Sequence, residues 1–198
     1  MINPERLNQI LYFLEVIDEF KSIYRATYLA NQGRHESDAE HTWHMAILTL
    51  LLHEELTIEV NITHTLELIL MHDLVEIYAG DTYAHDPIGR LDQKAREELS
   101  AQRLFSLLPQ DIAIRLNAWW QEFEVAKTPE AQFARAIDNL QAFAQNVFAQ
   151  GKVWHEHGIT EARSRAYNQS AMTFDPALLA MFEHLYQRAH SKHLWPEE

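Results

Sequence analysis

A histidine and an aspartate, His72 and Asp73, stand next to each other in a segment whose other residues are mostly apolar. Glu76 follows one helical turn later, and Asp81 comes directly after a glycine. Side chains three and four positions apart share one face of a helix, so His72, Asp73 and Glu76 are expected to converge. Burying two carboxylates and an imidazole together is unfavourable unless positive charge compensates. A divalent cation could provide that charge, and so could an arginine in a salt-bridge cluster.

Two further polar residues stand singly in apolar helical segments. His41 is followed by Trp43 and Met45, and Asp138 follows Ile137. Taken alone, such a histidine is more often a hydrogen-bonded core residue, and such a carboxylate is more often a helix-pairing or solvated group. Imidazole and carboxylate are, however, common ligands of divalent transition metals. Four such positions on three separate helices indicate a metal site, and a metal with an open coordination position can activate water.

The order of these residues resembles a known signature. His41, then His72 and Asp73, then Asp138 is similar to the H…HD…D pattern of the HD-domain metal-dependent phosphohydrolases. The surrounding residues resemble the branch that contains the bacterial 5′-deoxynucleotidases, and the similar blocks are residues 36–43, 72–82 and 128–138. The resemblance covers roughly residues 5–150 in order and is looser in the C-terminal part.

The resemblance implies a role for each polar residue of these blocks. The four implied protein ligands of one divalent metal are His41, His72, Asp73 and Asp138. Glu76 matches the proposed catalytic acid or base near the attacking water, and Asp81 matches a position that touches the nucleoside sugar or a neighbouring arginine. The implied reaction is hydrolysis of a small-molecule phosphomonoester, with a nucleoside or deoxynucleoside 5′-monophosphate as the expected substrate.

Three arginines are expected to bind that substrate. Arg25 matches a substrate-binding arginine of the branch, although Ala26 stands beside it where the branch has a tryptophan. Arg135, three residues before Asp138, matches a basic residue that can reach a phosphate. Arg34 is a further candidate to neutralise phosphate charge. The missing tryptophan affects the expected nucleotide selectivity more than it affects hydrolysis.

Charge and ligand type narrow the choice of metal. Two neutral imidazoles and two carboxylates neutralise a doubly charged cation and leave room for water and substrate oxygens. Imidazole combined with oxygen ligands suits Mn, Fe, Co, Ni or Zn, whereas Mg is less natural on imidazole. We therefore expect one divalent metal cation, drawn from Mn, Co, Fe, Ni, Zn or Mg.

Two other classes of function stay open. A two-metal HD-type oxygenase or phosphodiesterase needs extra histidines before the last aspartate, and only His85 lies between Asp73 and Asp138. A non-catalytic HD helical binding module has no need to keep several unfavourable polar groups among its core helices. Two metal ions per chain would favour the first alternative, and the absence of both metal and hydrolysis would favour the second.

Length and composition favour one helical domain. The chain has 198 residues, enough for a single domain with a substantial core. Only 5 glycines and 6 prolines interrupt it, which suits long helices. We expect a loop over 31–37. A first helix is expected from about residue 4, and a short helix is expected after residue 160. The other expected helices cover 39–56, 63–79, 92–108, 111–124, 129–148 and 176–190. The prediction is an all-α, single-domain HD-type helical bundle over 1–198, with a metal-binding core at about 25–150 and C-terminal helices 151–198 packed on it.

The charge balance limits the partners. The formal net charge is −13, so nucleic-acid polymers and anionic membranes are repelled as a whole. A small phosphoester, such as a nucleotide, is not excluded, because a metal and arginines can reverse the field locally. The chain has no cysteine, signal peptide or apolar run of about 18 residues, which predicts a cytoplasmic protein without a membrane span. The family resemblance predicts a homodimer. Leu194 and Trp195 are expected to be exposed, and their apolar surface would favour such an association.

Overall fold

The computed structural model describes residues 3–197, and helices dominate it. In chain order the elements are α1 (Pro4–Ile17), β1 (Tyr24–Tyr28), β2 (His35–Ser37), α2 (Asp38–Leu52), α3 (Ile62–Met71), α4 (Glu76–Ala79), α5 (Gln93–Phe105), α6 (Gln110–Val125), α7 (Pro129–Phe148), α8 (Lys152–His157), α9 (Glu161–Met172) and α10 (Pro176–Ser191). Short 3₁₀ turns lie at Asp18–Ser22, His53–Glu55 and Gly89–Leu91. The predicted all-α class is confirmed.

Side-chain caps begin helices where the sequence predicts them. The Thr128 hydroxyl accepts from the Ala131 N–H at 3.3 Å before α7, and Asp175 Oδ1 accepts from the Ala177 N–H at 2.8 Å before α10. A proline follows each cap at the first helical position, where its missing N–H would have had no intrahelical partner. The predicted starts of α7 and α10 are therefore confirmed.

The segment predicted as one helix over 63–79 is two helices in the structure. α3 ends before His72, and α4 begins at Glu76. Between them the Glu76 N–H donates to the Asp73 carbonyl oxygen at 2.9 Å, three residues back rather than four. His72 Nδ1 forms a hydrogen bond of 2.6 Å with the Ile69 carbonyl oxygen. In a continuous helix that oxygen would accept from the backbone N–H four residues later. The single-helix prediction was wrong at this point because the histidine side chain competes with the backbone.

A short antiparallel hairpin replaces part of the predicted loop over 31–37. Strands β1 and β2 pair with Tyr24 opposite Ser37 and Tyr28 opposite His35. Strands of five and three residues are too short to show a clear alternating pattern in the sequence. The hairpin leads directly into α2, where the Ser37 side chain begins the helix as its cap.

The larger hydrophobic cluster forms around α7, which contacts α2, α3, α9 and α10. Met45 of α2 and Leu68 of α3 belong to the same cluster as Phe182 and Tyr186 of α10. Phe143 of α7 stacks on Tyr186 with ring centroids 4.4 Å apart. Helices from the C-terminal part therefore share buried contacts with those that carry the candidate site.

A second cluster supports the turn between α3 and α4. Leu74 and Val75 of that turn are buried with Leu104 and Phe105 of α5. The Ser100 hydroxyl of α5 also donates to the Val75 carbonyl oxygen. These contacts hold the turn against α5.

The apolar surface differs from the one expected at the C-terminus. Leu194 is only 5% exposed, and Trp195 stacks on Trp154 with ring centroids 4.0 Å apart. The expectation of exposed apolar surface at these two residues was therefore wrong. Large apolar side chains are exposed on α2 instead, where Trp43 and Leu51 are 66% and 68% exposed.

Within residues 3–197, no helix is both long enough and apolar enough to cross a membrane. The cytoplasmic location stays a prediction from the sequence.

Candidate metal centre and active-site cleft

The four residues expected to bind a metal lie together beside the middle of α7. His41 lies in α2, His72 and Asp73 lie in the turn between α3 and α4, and Asp138 lies in α7. His41 Nε2 is 3.1 Å from Asp138 Oδ1 and 3.9 Å from Asp73 Oδ2. His72 Nε2 is 2.9 Å from the same Asp73 oxygen. Both imidazoles are buried, so their neighbours rather than solvent determine what they bind.

The hydrogen bonds of the two histidines determine which ring nitrogen carries the proton. His41 Nδ1 lies 2.5 Å from Gln141 Oε1, and His72 Nδ1 lies 2.6 Å from the Ile69 carbonyl oxygen. Both partners are acceptors, so each Nδ1 donates and the Nε2 of a neutral ring presents its lone pair. Each Nε2 faces a carboxylate oxygen, which places one acceptor against another. That arrangement is repulsive unless a cation, or a second proton on the ring, lies between them.

Donor atoms of His41, His72 and Asp73 lie within 4.8 Å of one another, as the ligands of one divalent transition metal would, and Asp138 lies beside His41. Adjacent ligand atoms around a metal with bonds of about 2.1 Å lie about 3 Å apart. The His72–Asp73 and His41–Asp138 pairs have that spacing, at 2.9 and 3.1 Å. His72 Nε2 is buried and has no partner with hydrogen-bond geometry among the described residues, although the Asp73 oxygen is close. A metal ion between His72 Nε2 and Asp73, or a proton on that nitrogen, would satisfy both groups.

A chain of buried polar side chains holds His41 from behind. Gln141 Nε2 donates to Glu36 Oε1 at 2.9 Å, and the Thr27 hydroxyl donates to Glu36 Oε2 at 3.0 Å. Because a carboxylate only accepts, Glu36 fixes the Gln141 amide with its oxygen toward His41. The hairpin that carries Thr27 and Glu36 thus orients a candidate ligand. Gln141 has no role that its residue type alone predicts, and its position three residues after Asp138 is the signal that could have found it.

Arg25 places one guanidinium among several carboxylates. Its Nη1 lies 2.8 Å from Asp73 Oδ2 and 3.8 Å from Asp81 Oδ1. The same nitrogen is 3.6 Å from Asp38 Oδ1. Burial opposes the charge, but the carboxylates, led by Asp73 and Asp81, raise the pKa of Arg25 well above its ordinary value. The structure thus places Arg25 and Asp81, both expected at the site, beside the candidate ligands.

Two buried carboxyls, Glu76 and Asp38, lie next to Asp73. Oxygens of the three groups lie within 4.8 Å of one another. Burial, followed by the charges of Asp73 and Asp38, raises the pKa of Glu76 well above its ordinary value. Burial and Asp73 also raise the pKa of Asp38 to about 7. A proton is therefore held here near neutral pH. Asp38 could not be singled out from the sequence, because an acidic residue in the first turn of a helix is ordinary.

An open cleft of about 360 Å³ extends from these carboxylates to α9. Other residues along its lining include Tyr83, Glu97, Glu124, Arg135, Asn146, Tyr167 and Asn168. The loop between α4 and α5 forms one wall. Arg96 holds that loop by donating to Thr82 Oγ1 at 2.9 Å and to the Gly89 carbonyl oxygen at 3.0 Å. Arg96 therefore ties the loop that forms this wall to α5.

A family model described as HD domain matches residues 17–179, which is most of the chain. The chain belongs to the HD-domain family. A solved structure supports this membership: the predicted metal-dependent phosphohydrolase from Magnetospirillum magnetotacticum MS-1 is 37% identical to this chain. The superposition covers 100% of both chains with a TM-score of 0.90. The family resemblance stated from the sequence is confirmed.

Two 5′-deoxynucleotidases are among the relatives of this HD-domain chain. The 5′-deoxynucleotidase HDDC2 of Bos taurus is 29% identical over 137 residues, which are 69% of this chain and 65% of that protein. The 5′-deoxynucleotidase hdd1 of Schizosaccharomyces pombe is 28% identical over 150 residues, which are 73% of this chain and 74% of that protein. The chain spans just under two thirds of the length of the bovine relative.

The two remaining arginines expected at the site lie in different places in this HD domain. Arg135 lines the cleft, with its guanidinium 4.8 Å from the centre of the Phe123 ring and 3.6 Å from Glu124. Arg34 pairs with Glu40 at 2.7 Å and lines a separate depression. The structure therefore places Arg135 with the candidate ligands and does not place Arg34 with them.

Proposed function

We propose that this chain is a phosphohydrolase that uses one divalent metal to cleave a small-molecule phosphomonoester, with a deoxynucleoside or nucleoside 5′-monophosphate as substrate. The observation that carries this proposal is the pair of imidazoles whose Nε2 atoms face carboxylates at one end of an open cleft. The two 5′-deoxynucleotidase relatives and the solved structure of a predicted metal-dependent phosphohydrolase support the same class of reaction.

The proposed metal ligands are His41, His72, Asp73 and Asp138. A cation bound to them would act as a Lewis acid toward a phosphoryl oxygen and would lower the pKa of water. Burial raises the pKa of Asp138 and the His41 imidazole lowers it, and the net value lies below the ordinary one, so this carboxyl is ionised. Imidazole ligands favour Mn, Co, Fe, Ni or Zn over Mg.

Glu76 is the proposed proton-transfer group. It is buried beside Asp73, and burial together with the neighbouring carboxyls raises its pKa well above the ordinary value, which favours the protonated form. In that form it could protonate the leaving alkoxide, and as a carboxylate it could accept a proton from the attacking water. Asp81, which lies 3.8 Å from Arg25, is proposed to bind a sugar hydroxyl.

Positive charge for the phosphate is proposed to come from the cation together with Arg25 and Arg135. Arg25 lies among more carboxyls than one guanidinium can neutralise, namely Asp38, Asp73, Glu76, Asp81 and Asp138. A phosphate dianion is therefore expected to bind only after the cation has made this end of the cleft less negative. Arg34 could take part only if its pair with Glu40 opened.

Chelated protein tested with added metals gives the direct check of this function. We expect no turnover without metal, and turnover of deoxynucleoside and nucleoside 5′-monophosphates when Mn, Co, Ni, Zn or Mg is returned. Released phosphate measures the reaction. Hydrolysis that persists in excess chelator would contradict the metal requirement. Failure of the metal-loaded protein to hydrolyse any phosphomonoester would contradict the proposed function.

Two copies of the chain are proposed to associate through the exposed face of α2. Trp43, Ile47 and Leu51 follow one another at four-residue spacing and are 66%, 39% and 68% exposed. Residues four apart share a helix face, so they form an apolar stripe of the kind that marks an interface. Trp43→Glu is expected to lower the molar mass measured by light scattering from that of a dimer to that of one chain. A wild-type chain that is monomeric at all concentrations would contradict the proposal.

A further inference from the structure

Arg96 lies on α5 outside the cleft lining, yet it holds the chain on both sides of Asp81. Its Nη1 donates to the Ala79 carbonyl oxygen at 2.5 Å, and its Nη2 donates to Thr82 Oγ1 at 2.9 Å. Ala79 is the last residue of α4, and Thr82 directly follows Asp81. One guanidinium therefore spans the segment 79–82, which carries a carboxylate proposed to bind the substrate.

This segment needs outside support because its second residue is a glycine. Gly80 has φ +76° and ψ 146°, a conformation that glycine adopts far more readily than residues with a side chain. The same freedom means that Gly80 alone does not fix the direction in which the chain continues to Asp81. The helix also ends here, so the Ala79 carbonyl oxygen loses the N–H that a further helical turn would have given it. Arg96 supplies that missing donor.

The surroundings of Arg96 match the planar fork of a guanidinium. Nη2 also donates to the Gly89 carbonyl oxygen at 3.0 Å, and Nε donates to Asp92 Oδ1 at 2.9 Å. A lysine ammonium is a point charge and cannot hold acceptors in these several directions at fixed geometry. Asp81 itself lies 3.8 Å from Arg25, so its charge already has a partner. The geometry of Arg96, rather than its charge, is therefore the property that bears on Asp81.

We propose that Arg96 is a positioning residue for Asp81, an inference that rests on the proposed function. By fixing Ala79 and Thr82, Arg96 fixes where the chain places the Asp81 carboxylate in the cleft. The contact that depends on this placement is the hydrogen bond proposed between Asp81 and a sugar hydroxyl. The proposed metal ligands lie outside residues 79–82, so metal affinity is expected to stay unchanged when Arg96 is replaced.

Two substrates separate this role from a general loss of structure. The nucleotide dAMP has the sugar that Asp81 is proposed to bind, whereas p-nitrophenyl phosphate is a phosphomonoester without a sugar. Arg96→Met is expected to raise KM for dAMP by about tenfold, because the hydrogen bond to a charged acceptor is misplaced. The kcat for dAMP and the kcat/KM for p-nitrophenyl phosphate should both stay within about twofold of the wild-type values.

A second variant and a control come from the same helix. Arg96→Lys keeps the charge but not the fork, and it is expected to show the same split between the two substrates. Arg103→Met is the matched control, because Arg103 also lies on α5 and contacts α4, with its guanidinium 3.6 Å from the centre of the Tyr78 ring. It should keep the wild-type KM for both substrates.

A double variant tests whether Arg96 acts through Asp81. Asp81→Asn alone should raise KM for dAMP, and adding Arg96→Met should raise it little further, since both changes affect one contact. Effects that multiply in full would overturn the inference. An unchanged KM for dAMP in both Arg96 variants, or an equal loss with both substrates, would overturn it as well.

Failure of the proposed function would look different. A metal-loaded wild-type chain that hydrolyses neither substrate would contradict the proposed phosphohydrolase activity. Calorimetric binding of dAMP would then still test the role of Arg96. A Kd about tenfold higher for Arg96→Met than for the wild-type chain would support the inference, and equal values would overturn it.

Discussion

Asp138→Asn is expected to remove the bound metal and the hydrolytic activity together. The substitution keeps the size of the side chain and deletes one negative charge from the proposed ligand set. Asp138 Oδ1 lies 3.1 Å from His41 Nε2, so an amide at this position would also disturb the pairing of the two candidate ligands. Loss of Lewis-acid catalysis amounts to several kcal/mol, which corresponds to a fall in kcat of at least about 10³-fold.

Metal content and turnover are measured on the same preparations, by elemental analysis and phosphate release. His155→Ala is the matched control, because His155 is an exposed histidine outside the cleft lining. It should keep both metal and activity. An Asp138→Asn protein that is active without metal would contradict the ligand assignment. Two ions per wild-type chain would revive the two-metal alternative, and a wild-type chain with neither metal nor hydrolysis would favour the non-catalytic module.

The residues that could be predicted from the sequence are those whose types are unusual for their surroundings. His72, Asp73 and Glu76 lie close together along the chain, so local spacing was enough to expect them to converge. His41 and Asp138 each look like an ordinary core or edge residue alone, and only the resemblance to an ordered signature connected them. The structure brings His41, His72 and Asp73 close together and places Asp138 beside His41, although it breaks the predicted helix at the point where His72 and Asp73 lie.

The residues that could not be predicted from the sequence are ordinary in type and gain their roles from packing. Gln141 and Glu36 are separated by more than a hundred residues and meet only because the hairpin packs on α7. Asp38 looks like a helix-dipole acid until folding buries it beside Asp73 and Glu76. The placement of these groups depends on which helix faces meet, and local residue types do not determine that.

Gln141→Leu is expected to weaken metal binding by about 10- to 100-fold, the range typical for residues that orient a ligand without touching the metal. The amide oxygen of Gln141 accepts from His41 Nδ1 at 2.5 Å and so directs the lone pair of Nε2 toward the proposed metal position. Without that acceptor, His41 can adopt the other tautomer, with the proton on Nε2. The expected result is a higher metal dissociation constant by calorimetry, with turnover partly restored at high metal concentration.

Gln145→Leu is the matched control, because Gln145 is also a buried glutamine one turn farther along α7. Its Nε2 donates to the Tyr28 carbonyl oxygen at 2.7 Å, which lies on the same hairpin but does not touch a candidate ligand. Both variants lose one buried hydrogen-bonding side chain and should lose similar stability, by about 1–3 kcal/mol in a denaturant titration. Only Gln141→Leu should lose metal affinity. Equal metal affinities for the two variants would show that Gln141 acts through stability alone.

Exchanging the two partners gives the strongest form of this test. In the double variant Gln141→Glu with Glu36→Gln, the new carboxylate can accept from His41 Nδ1, and the new amide can donate to that carboxylate. Gln141→Glu alone would place two carboxylates in contact, since Gln141 Nε2 lies 2.9 Å from Glu36 Oε1 in the native chain. The double variant is therefore expected to recover most of the metal affinity that Gln141→Glu loses. Recovery would assign the effect to the hydrogen-bond chain behind His41, because a loss caused only by poor packing would not be reversed by exchanging an amide and an acid.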